Sequence, residues 1–432
     1  MEIKRTHLAA EITPKIEGSE VVLLGWLHEK RDLGGLRFLL LRDRSGLVQV
    51  VANKKTAQPD LWEALSSIKR ESVLALGGVV KSSPQAPRGV EVGVKWVKPL
   101  ISSEDPPIDI VGKTQADLDT RLDYRIIDLR RSEPQAIFKL QNTITSAIRS
   151  FLYDNGFIEV FTPKIISTAT EGGASLFSVF YYDRLAYLSQ SPQLYKEALT
   201  SAFERVFEIG PAFRAEESDT LRHLSEITMV DVEGAFMDYN DVMGLLDGLI
   251  KKIIMNVNQN NADELKALGR DKFAINFPLP RITYDQVTSI LDEKGISYEK
   301  EGDLGTVELK ALSEELKGFY FITDWPTKAR PFYAMPIKGK EDRCESFDLM
   351  YGWIELASGA TRINDESILR TRMASQGLNP DAFKTHLKWF KYGMPPHAGF
   401  GLGLARLLMA VSGKDNIREV VMFPRDKRRL EP

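Results

Sequence analysis

The sequence is poor in cysteine and histidine: of 432 residues, one is cysteine, Cys344, and five are histidine. A single thiol excludes an internal disulfide framework and a Cys-clustered zinc site, and suits a reducing compartment. No apolar run approaches the roughly 20 residues that span a bilayer. The opening stretch MEIKRTHLAAEI has no continuous apolar signal-peptide core, so a soluble, cytoplasmic protein with no membrane partner is expected. An excess of positive charge is missing as well. With 57 Lys and Arg against 60 Asp and Glu the net charge is −3, and nucleic acid would have to be held by local patches. His28 to Asp32 (HEKRD) and Arg425 to Arg429 (RDKRR) are candidates, with solvated surface charge as the plain alternative. Internal repeats and low-complexity tracts are also lacking.

What is present is a globular composition, 43% hydrophobic and 27% charged, in a chain long enough for two domains. From Val21 to about Leu100, VVLLGWLHE, LRFLLLRD, LVQVVA, VLALGGVV and VEVGVKWV read as five strands, with helical character near Leu61 to Ile68. That pattern suggests an OB-fold; an SH3-like barrel gives similar spacing. Asp105-Pro106-Pro107 opens a polar connector to about Arg131, read as a hinge over 105–132 between a domain at 1–104 and another at 133–432. Ile137, Leu140, Ile144, Ile148 and Phe151 recur at helical steps between Pro134 and Gly156, which predicts a long amphipathic helix. Beyond it, FIEVF, AYLSQ, RVFEIGPAF, ITMVDVEGAF, FYFITDW, PFYAMP, ESFDLMY and WIELASGATRI read as strands. Several are joined by loops too short for crossover helices, so the fold class is α+β with an antiparallel sheet flanked by helices. The stretch of about 263–318 reads as a helical elaboration.

Gly399 to Leu408, GFGLGLARLL, places glycines at alternate positions near the C-terminal end. A dinucleotide fingerprint would be G-x-G-x-x-G after a first strand, with an acidic residue about 20 positions on; G-x-G-x-G so late is a poor match. Elsewhere, Arg214 and Glu216 share strand parity where RVFEIGPAF enters a polar loop, and an arginine there suits a phosphate. Glu355 and Ser358, a carboxylate and a hydroxyl three residues apart in WIELASG, suit a Mg²⁺ that also takes phosphate oxygens.

Pro163 in an apolar setting, FRAEE with RHL downstream, and GLGLARL before a C-terminal helix resemble, in order, motifs 1, 2 and 3 of the class II aminoacyl-tRNA synthetases. With the OB-like domain in front, the chain resembles subclass IIb. TATEGGASLF, SQSPQLYKE, FRAEESDTLRHL, SFDLMYGWIELASG and YGMPPHAGFGLG look most like its archaeal-type aspartyl members. The resemblance runs nearly the whole length, to FPRDKRRLEP. It implies an N-terminal OB-fold anticodon-binding domain joined to a class II catalytic domain, ATP as substrate with Mg²⁺, L-aspartate, tRNA(Asp) and a homodimer built through motif 1.

Carried over by position, the resemblance makes Arg214 and Arg406 the catalytic arginines. ATP would be held by Arg214, Ala215, Glu216, Arg222, His223, Leu224, Glu355, Gly403, Leu404, Ala405 and Arg406. Glu355 and Ser358 would hold the metal, with Asp348 a weaker candidate. Aspartate would meet Glu171, Gln193, Lys196, Arg214, Asp231, Ser358, Gly359 and Arg362; Lys196 and Arg362 take its side-chain carboxylate, and Glu171 belongs to a closing loop with Gly172 and Gly173. His28, Arg31, Phe38, Gln49 and Gln85 would read the anticodon. Relatives that accept only tRNA(Asp) tend to carry Trp and Lys where this chain has His28 and Gln85, which raises the expectation that tRNA(Asn) is charged too. Ala405 departs from the family, where many members have an acidic residue before the arginine. An asparaginyl-tRNA synthetase and a non-catalytic synthetase-like RNA-binding protein are the alternatives.

Overall fold

The computed structural model describes residues 3–112, 114, 116–168, 176–215 and 220–432. Contacts divide the chain into two compact units, Met1–Arg131 and Ser132–Pro432.

In the first unit, strands β1 (Glu20–Leu33), β2 (Leu36–Asp43), β3 (Gly46–Asn53), β4 (Val73–Ser82) and β5 (Val90–Ile101) close a barrel in the order β1-β2-β3-β5-β4. Helix α1 (Pro59–Ser67) lies between β3 and β4, as the sequence pattern expects of an OB-fold. Period-two alternation sends Leu39, Leu41, Val48, Val50 and Val92 into the core and leaves their neighbours outside. The connector carries two short helices, Leu118–Asp123 and Arg125–Asp128. It is tied to the barrel by ion pairs: Arg130 meets Glu71 at 3.0 Å and Arg70 meets Asp109 at 3.3 Å.

The second unit opens with helix α2 (Ser132–Asp154), the predicted amphipathic helix. Its Ile137, Leu140, Ile144, Ile148 and Leu152 are buried in the core of the same unit. The elements that follow are β6 (Ile158–Glu159), α3 (Gln193–Phe203), β7 (Arg205–Phe213), β8 (Glu226–Ala235), α4 (Tyr239–Asn260), β9 (Arg281–Thr283), β10 (Phe319–Thr323), β11 (Ser346–Tyr351), β12 (Ile354–Thr361), β13 (His397–Gly403) and α5 (Leu404–Ser412). Eight strands form one sheet ordered β9-β10-β11-β12-β13-β8-β7-β6. The six central strands are antiparallel, as expected; the short edge strands β9 and β6 pair parallel to their neighbours. AYLSQ falls in a separate small sheet, as strand Arg184–Leu188, and PFYAMP is largely irregular. The 263–318 stretch is mostly helix and loop, with helices Tyr284–Glu293 and Thr306–Ser313, and also contributes β9.

Candidate active site

One face of the large sheet packs on α2, α4 and α5; the other opens as a cleft of about 350 Å³. The glycines of β13 make that opening. Phe400 and Leu402 point into the core and are fully buried, whereas Gly399, Gly401 and Gly403 share the cleft face. A Cβ on Gly399 would lie 2.1 Å from Glu233 Oε2, and one on Gly401 3.3 Å from Asp231 Oδ1. The alternate glycines are therefore the period of a strand with one bare face, not a dinucleotide turn.

Register then sets the chemistry. Glu208, Asp231, Gly401, Ser358 and Asp348 are successive partners across β7, β8, β13, β12 and β11. Glu355 and Ser358 are three apart and in a regular strand would face opposite sides. The register slips between Leu349 and Met350, so that Ala357 pairs with Leu349 but Glu355 with Met350. This bulge brings Glu355 to the cleft with Ser358.

Beneath the cleft floor lies a charge cluster. Lys196, 2% exposed, comes from α3, and its Nζ donates to Asp231 Oδ1 at 3.0 Å and Phe400 O at 3.1 Å, with Glu233 Oε2 at 3.3 Å. Arg362 forks onto Glu233, Nε to Oε1 at 2.9 Å and Nη2 to Oε2 at 3.2 Å. Burial opposes the Arg362 charge, but Glu233 outweighs it and raises the guanidinium above its ordinary value. A second cluster adjoins the first. Gln193 Nε2 donates to Glu197 Oε1 at 2.6 Å, while His386 and His397 Nε2 face Glu197 Oε2 at 3.4 and 3.6 Å. Burial pushes the Glu197 carboxyl up, but the two imidazoles reverse this and hold it well below the carboxylate range. For His397 burial works downward, and Glu197 reverses it to a net rise.

At the other end of the cleft, Arg214 directly follows β7, its backbone N–H donating to Ser225 O at 2.9 Å. Arg406 enters from the first turn of α5; its Nη1 donates to Glu355 O at 3.1 Å and lies 3.5 Å from Glu355 Oε1. Arg222 lies 4.5 Å from the Trp353 ring centroid and donates to Thr306 Oγ1 at 2.6 Å, and His223 Nδ1 meets Thr220 Oγ1 at 2.6 Å. Asp348 is buried behind Ser358: burial raises its carboxyl to about 6, Arg330 opposes this, and Glu355 adds to it.

Arg214, Arg222, His223, Leu224, Glu355, Ser358, Gly359, Arg362, Gly403, Ala405 and Arg406 thus converge on one cleft, together with Gln193 and Asp231. Lys196 sits just behind its wall, and Leu404 is buried at the start of α5. Ala215 is half-buried just after Arg214. Glu171 and Glu216 lie outside the described residues. Sequence reasoning missed Glu233, Glu197, His386, Arg330 and Tyr333. A signal existed for two of them: Glu233 shares the parity of Asp231, and Gln193, Lys196, Glu197 and Thr200 form a polar stripe at helical spacing, all buried.

On the barrel, Arg31, Phe38 and Val51 are register partners across β1, β2 and β3, with Phe38 half-buried on the outer face. Gln49, on the same side, donates to Glu91 at 2.9 Å, and Arg31 to Glu29 at 2.8 Å. Gln85 is exposed in the β4–β5 loop. His28 is turned inward, its side chain 12% exposed and its Nδ1 3.8 Å from the buried Glu71, which Arg42 also binds at 2.6 Å.

A barrel of OB type and a six-stranded antiparallel core whose bare face gathers arginines and carboxylates define the architecture of a class II synthetase. The comparisons agree: residues 117–427 match the model for class II tRNA synthetases (D, K and N), and residues 21–100 that for the OB-fold nucleic acid binding domain. The chain belongs to the class II tRNA synthetases of the D, K and N group. It is 46% identical to the Aspartate–tRNA(Asp/Asn) ligase of Methanothermobacter thermautotrophicus, over 100% of this chain and 99% of that one. To the enzyme of the same name from Methanopyrus kandleri it is 49% identical, over 98% of each. Among solved structures, asparaginyl-tRNA synthetase from Pyrococcus horikoshii complexed with asparaginyl-adenylate superposes with a TM-score of 0.95 at 34% identity, covering 100% of both chains. Among the described residues, no helix is long and apolar enough to cross a membrane.

Proposed function

We propose that the chain is an aspartate–tRNA ligase. Aspartate and ATP give aspartyl-adenylate and pyrophosphate, and the acyl group then passes to the terminal ribose of tRNA(Asp) and of tRNA(Asn). The observation that carries this reading is the pair of buried cations, Lys196 and Arg362, converging on one end of a cleft whose other end holds Arg214 and Arg406. Two fixed cations suit a side-chain carboxylate, and the neutral amide of asparagine offers them no charge; Asp231 and Glu233 pair the cations in either case, so the difference lies in the ligand's own charge. Asp231 and the carbonyl of Gln193, whose amide nitrogen is engaged by Glu197, supply acceptors for the α-ammonium.

In activation an oxygen of the aspartate α-carboxylate attacks the α-phosphorus in line, and the bond to pyrophosphate breaks. No protein nucleophile is needed; the residues bind, orient and offset charge. Arg214 holds the α-phosphate and attacking carboxylate, while Arg222 and His223 border the nucleotide and Arg406 covers the adenine. Glu216 would hold the adenine amino group and Glu171 the incoming aspartate. Among the described residues no group of three His, Cys, Asp or Glu could hold a metal. A Mg²⁺ that takes phosphate oxygens needs fewer protein ligands, and Asp348 Oδ1, buried without a hydrogen-bond partner near Ser358, fits one. Glu355, Ser358 and Asp348 would hold it, and it would neutralise charge on the phosphates.

Residues 1–104 would read the anticodon through Arg31, Phe38, Gln49 and Gln85, and 105–132 would act as hinge to the catalytic part at 133–432. His28 would act through the Glu71 cluster. A cytoplasmic homodimer completes the reading; a sedimentation mass of one chain at all concentrations would remove the dimer. The likeness to an asparaginyl enzyme gives a second reading, in which asparagine is activated. Pyrophosphate exchange with each amino acid, followed by charging of separated tRNA(Asp) and tRNA(Asn), tests all of this. Aspartate-dependent exchange and charging of both tRNAs are expected. Exchange with asparagine alone would overturn the substrate, and uncharged tRNA(Asn) would confine the enzyme to tRNA(Asp).

A further inference from the structure

Arg330 stands in the cleft without a part in the chemistry above. It belongs to the irregular segment between β10 and β11, which is fastened beside the end of β12: Met335 N donates to Thr361 O at 2.9 Å, and Ala334 bridges Arg362. The guanidinium lies over Trp325, 4.0 Å from the ring centroid, and stacking of this kind fixes the plane of the fork. From that plane Nη2 donates to Asp348 Oδ2 at 2.5 Å, and Nη1 reaches Ser358 Oγ at 3.4 Å. Asp348 and Ser358 are register partners on adjacent strands, so a single rigid cation spans both. Asp348 Oδ1 is left buried with no hydrogen-bond partner, a costly state for an anionic oxygen unless something else approaches it.

We propose that Arg330 is a positioning residue for the nucleotide and its cation: it holds Asp348 and Ser358 in the one arrangement that presents a carboxylate oxygen and a hydroxyl together, and does not itself touch ATP. This rests on the reading of the cleft as an ATP-dependent activating site. Three features support an indirect role. Nη1 and Nη2 each point at a protein oxygen while Nε is buried, stacking on Trp325 restrains the plane, and Asp348 keeps one oxygen unused.

The test uses Mn²⁺ as probe, its binding with ATP measured by electron paramagnetic resonance on the full chain without amino acid. The result therefore stands whether the enzyme activates aspartate or asparagine. Arg330→Met should weaken Mn²⁺·ATP binding about tenfold or more and raise the KM for ATP, with the KM for aspartate changed less than about threefold. Arg330→Lys should recover part of the loss, since it keeps a charge beside Asp348 but not the fork. In an Asp348→Asn background, Arg330→Met should add less than about twofold, because its effect passes through Asp348. If Arg330→Met leaves Asp348 unpaired and fails to fold, the double variant, which removes both charges, carries the comparison with Asp348→Asn. Wild-type Mn²⁺·ATP binding by Arg330→Met would overturn the proposal. So would a further tenfold loss in the Asp348→Asn background, which would mean direct contact with ATP, or a double variant that is itself unfolded, which would make the pair a structural one.

Discussion

On the barrel, Phe38 and Arg31 meet on an open face, and Gln49 and Arg31 are held by single short contacts to Glu91 and Glu29. In the cleft, Lys196 and Arg362 are buried and locked by Asp231 and Glu233 through several contacts apiece. The difference follows from what each surface must meet. An RNA base brings its own flat face and can be stacked by a side chain that retains some freedom. A reacting carboxylate and phosphate must be met by charges already in place, because reorganising them would add to the barrier. Fixing charge inside a sheet is costly unless it is paired, and in the Lys196–Arg362 cluster it is: Glu233 receives two cations and Lys196 three oxygens.

The sharpest way to break this contrast is to remove a cation from the cleft. Lys196→Met takes a buried cation from both Asp231 and Glu233 and leaves Glu233 with Arg362, and denaturant unfolding should show a loss of about 3 to 5 kcal/mol along with a much raised KM for aspartate. A loss under about 1 kcal/mol would mean the cluster is not the preorganised device described here. Arg214→Ala comes next. Arg214 stands where β7 gives way to a loop, so folding should survive while activation, read as pyrophosphate exchange, falls about 10²-fold or more. On the barrel, Phe38→Ala should cost about 1 to 3 kcal/mol in tRNA binding, seen as a raised KM in charging, and leave pyrophosphate exchange untouched. An equal fall in both assays would erase the distinction between the two surfaces.

The barrel was legible because its strands are apolar-rich runs separated by turn signals close together in the chain, and the long helix because its apolar residues recur at helical steps. The cleft was legible only in part. GFGLGLARLL announced itself by glycine spacing, yet the reason for that spacing, a strand kept bare so that Asp231 and Glu233 can stand over it, depends on pairing with β8, far away in sequence. Glu355 and Ser358 were readable as a pair, while the bulge that lets them share a face is a property of register with β11. Arg330 had no local signal: it sits in an irregular segment, and its partners Trp325, Asp348 and Ser358 come together only through the sheet. Of the two short edge strands, β6 was readable in FIEVF, whereas β9, three residues inside the stretch read as helical, was hidden for the same reason.

The smallest expected effect separates the two clusters within the cleft itself. Glu197 has its carboxyl lowered, so its contribution to stability is present above the unfolded value of about 4.3 and fades as pH falls through the lower folded one. His397 is raised, so its contribution is complete below about 6.5 and fades as pH rises through the folded value above that. Both are in place between these limits, and wild-type stability should decline above about pH 6.5 as His397 loses its proton. Glu197→Gln removes the charge that raises His397, so denaturant midpoints measured across this range should show a flatter alkaline limb. Arg362, whose guanidinium Glu233 raises, keeps its proton throughout this range and adds no slope. An unchanged alkaline limb in Glu197→Gln would mean that the imidazole does not titrate against Glu197.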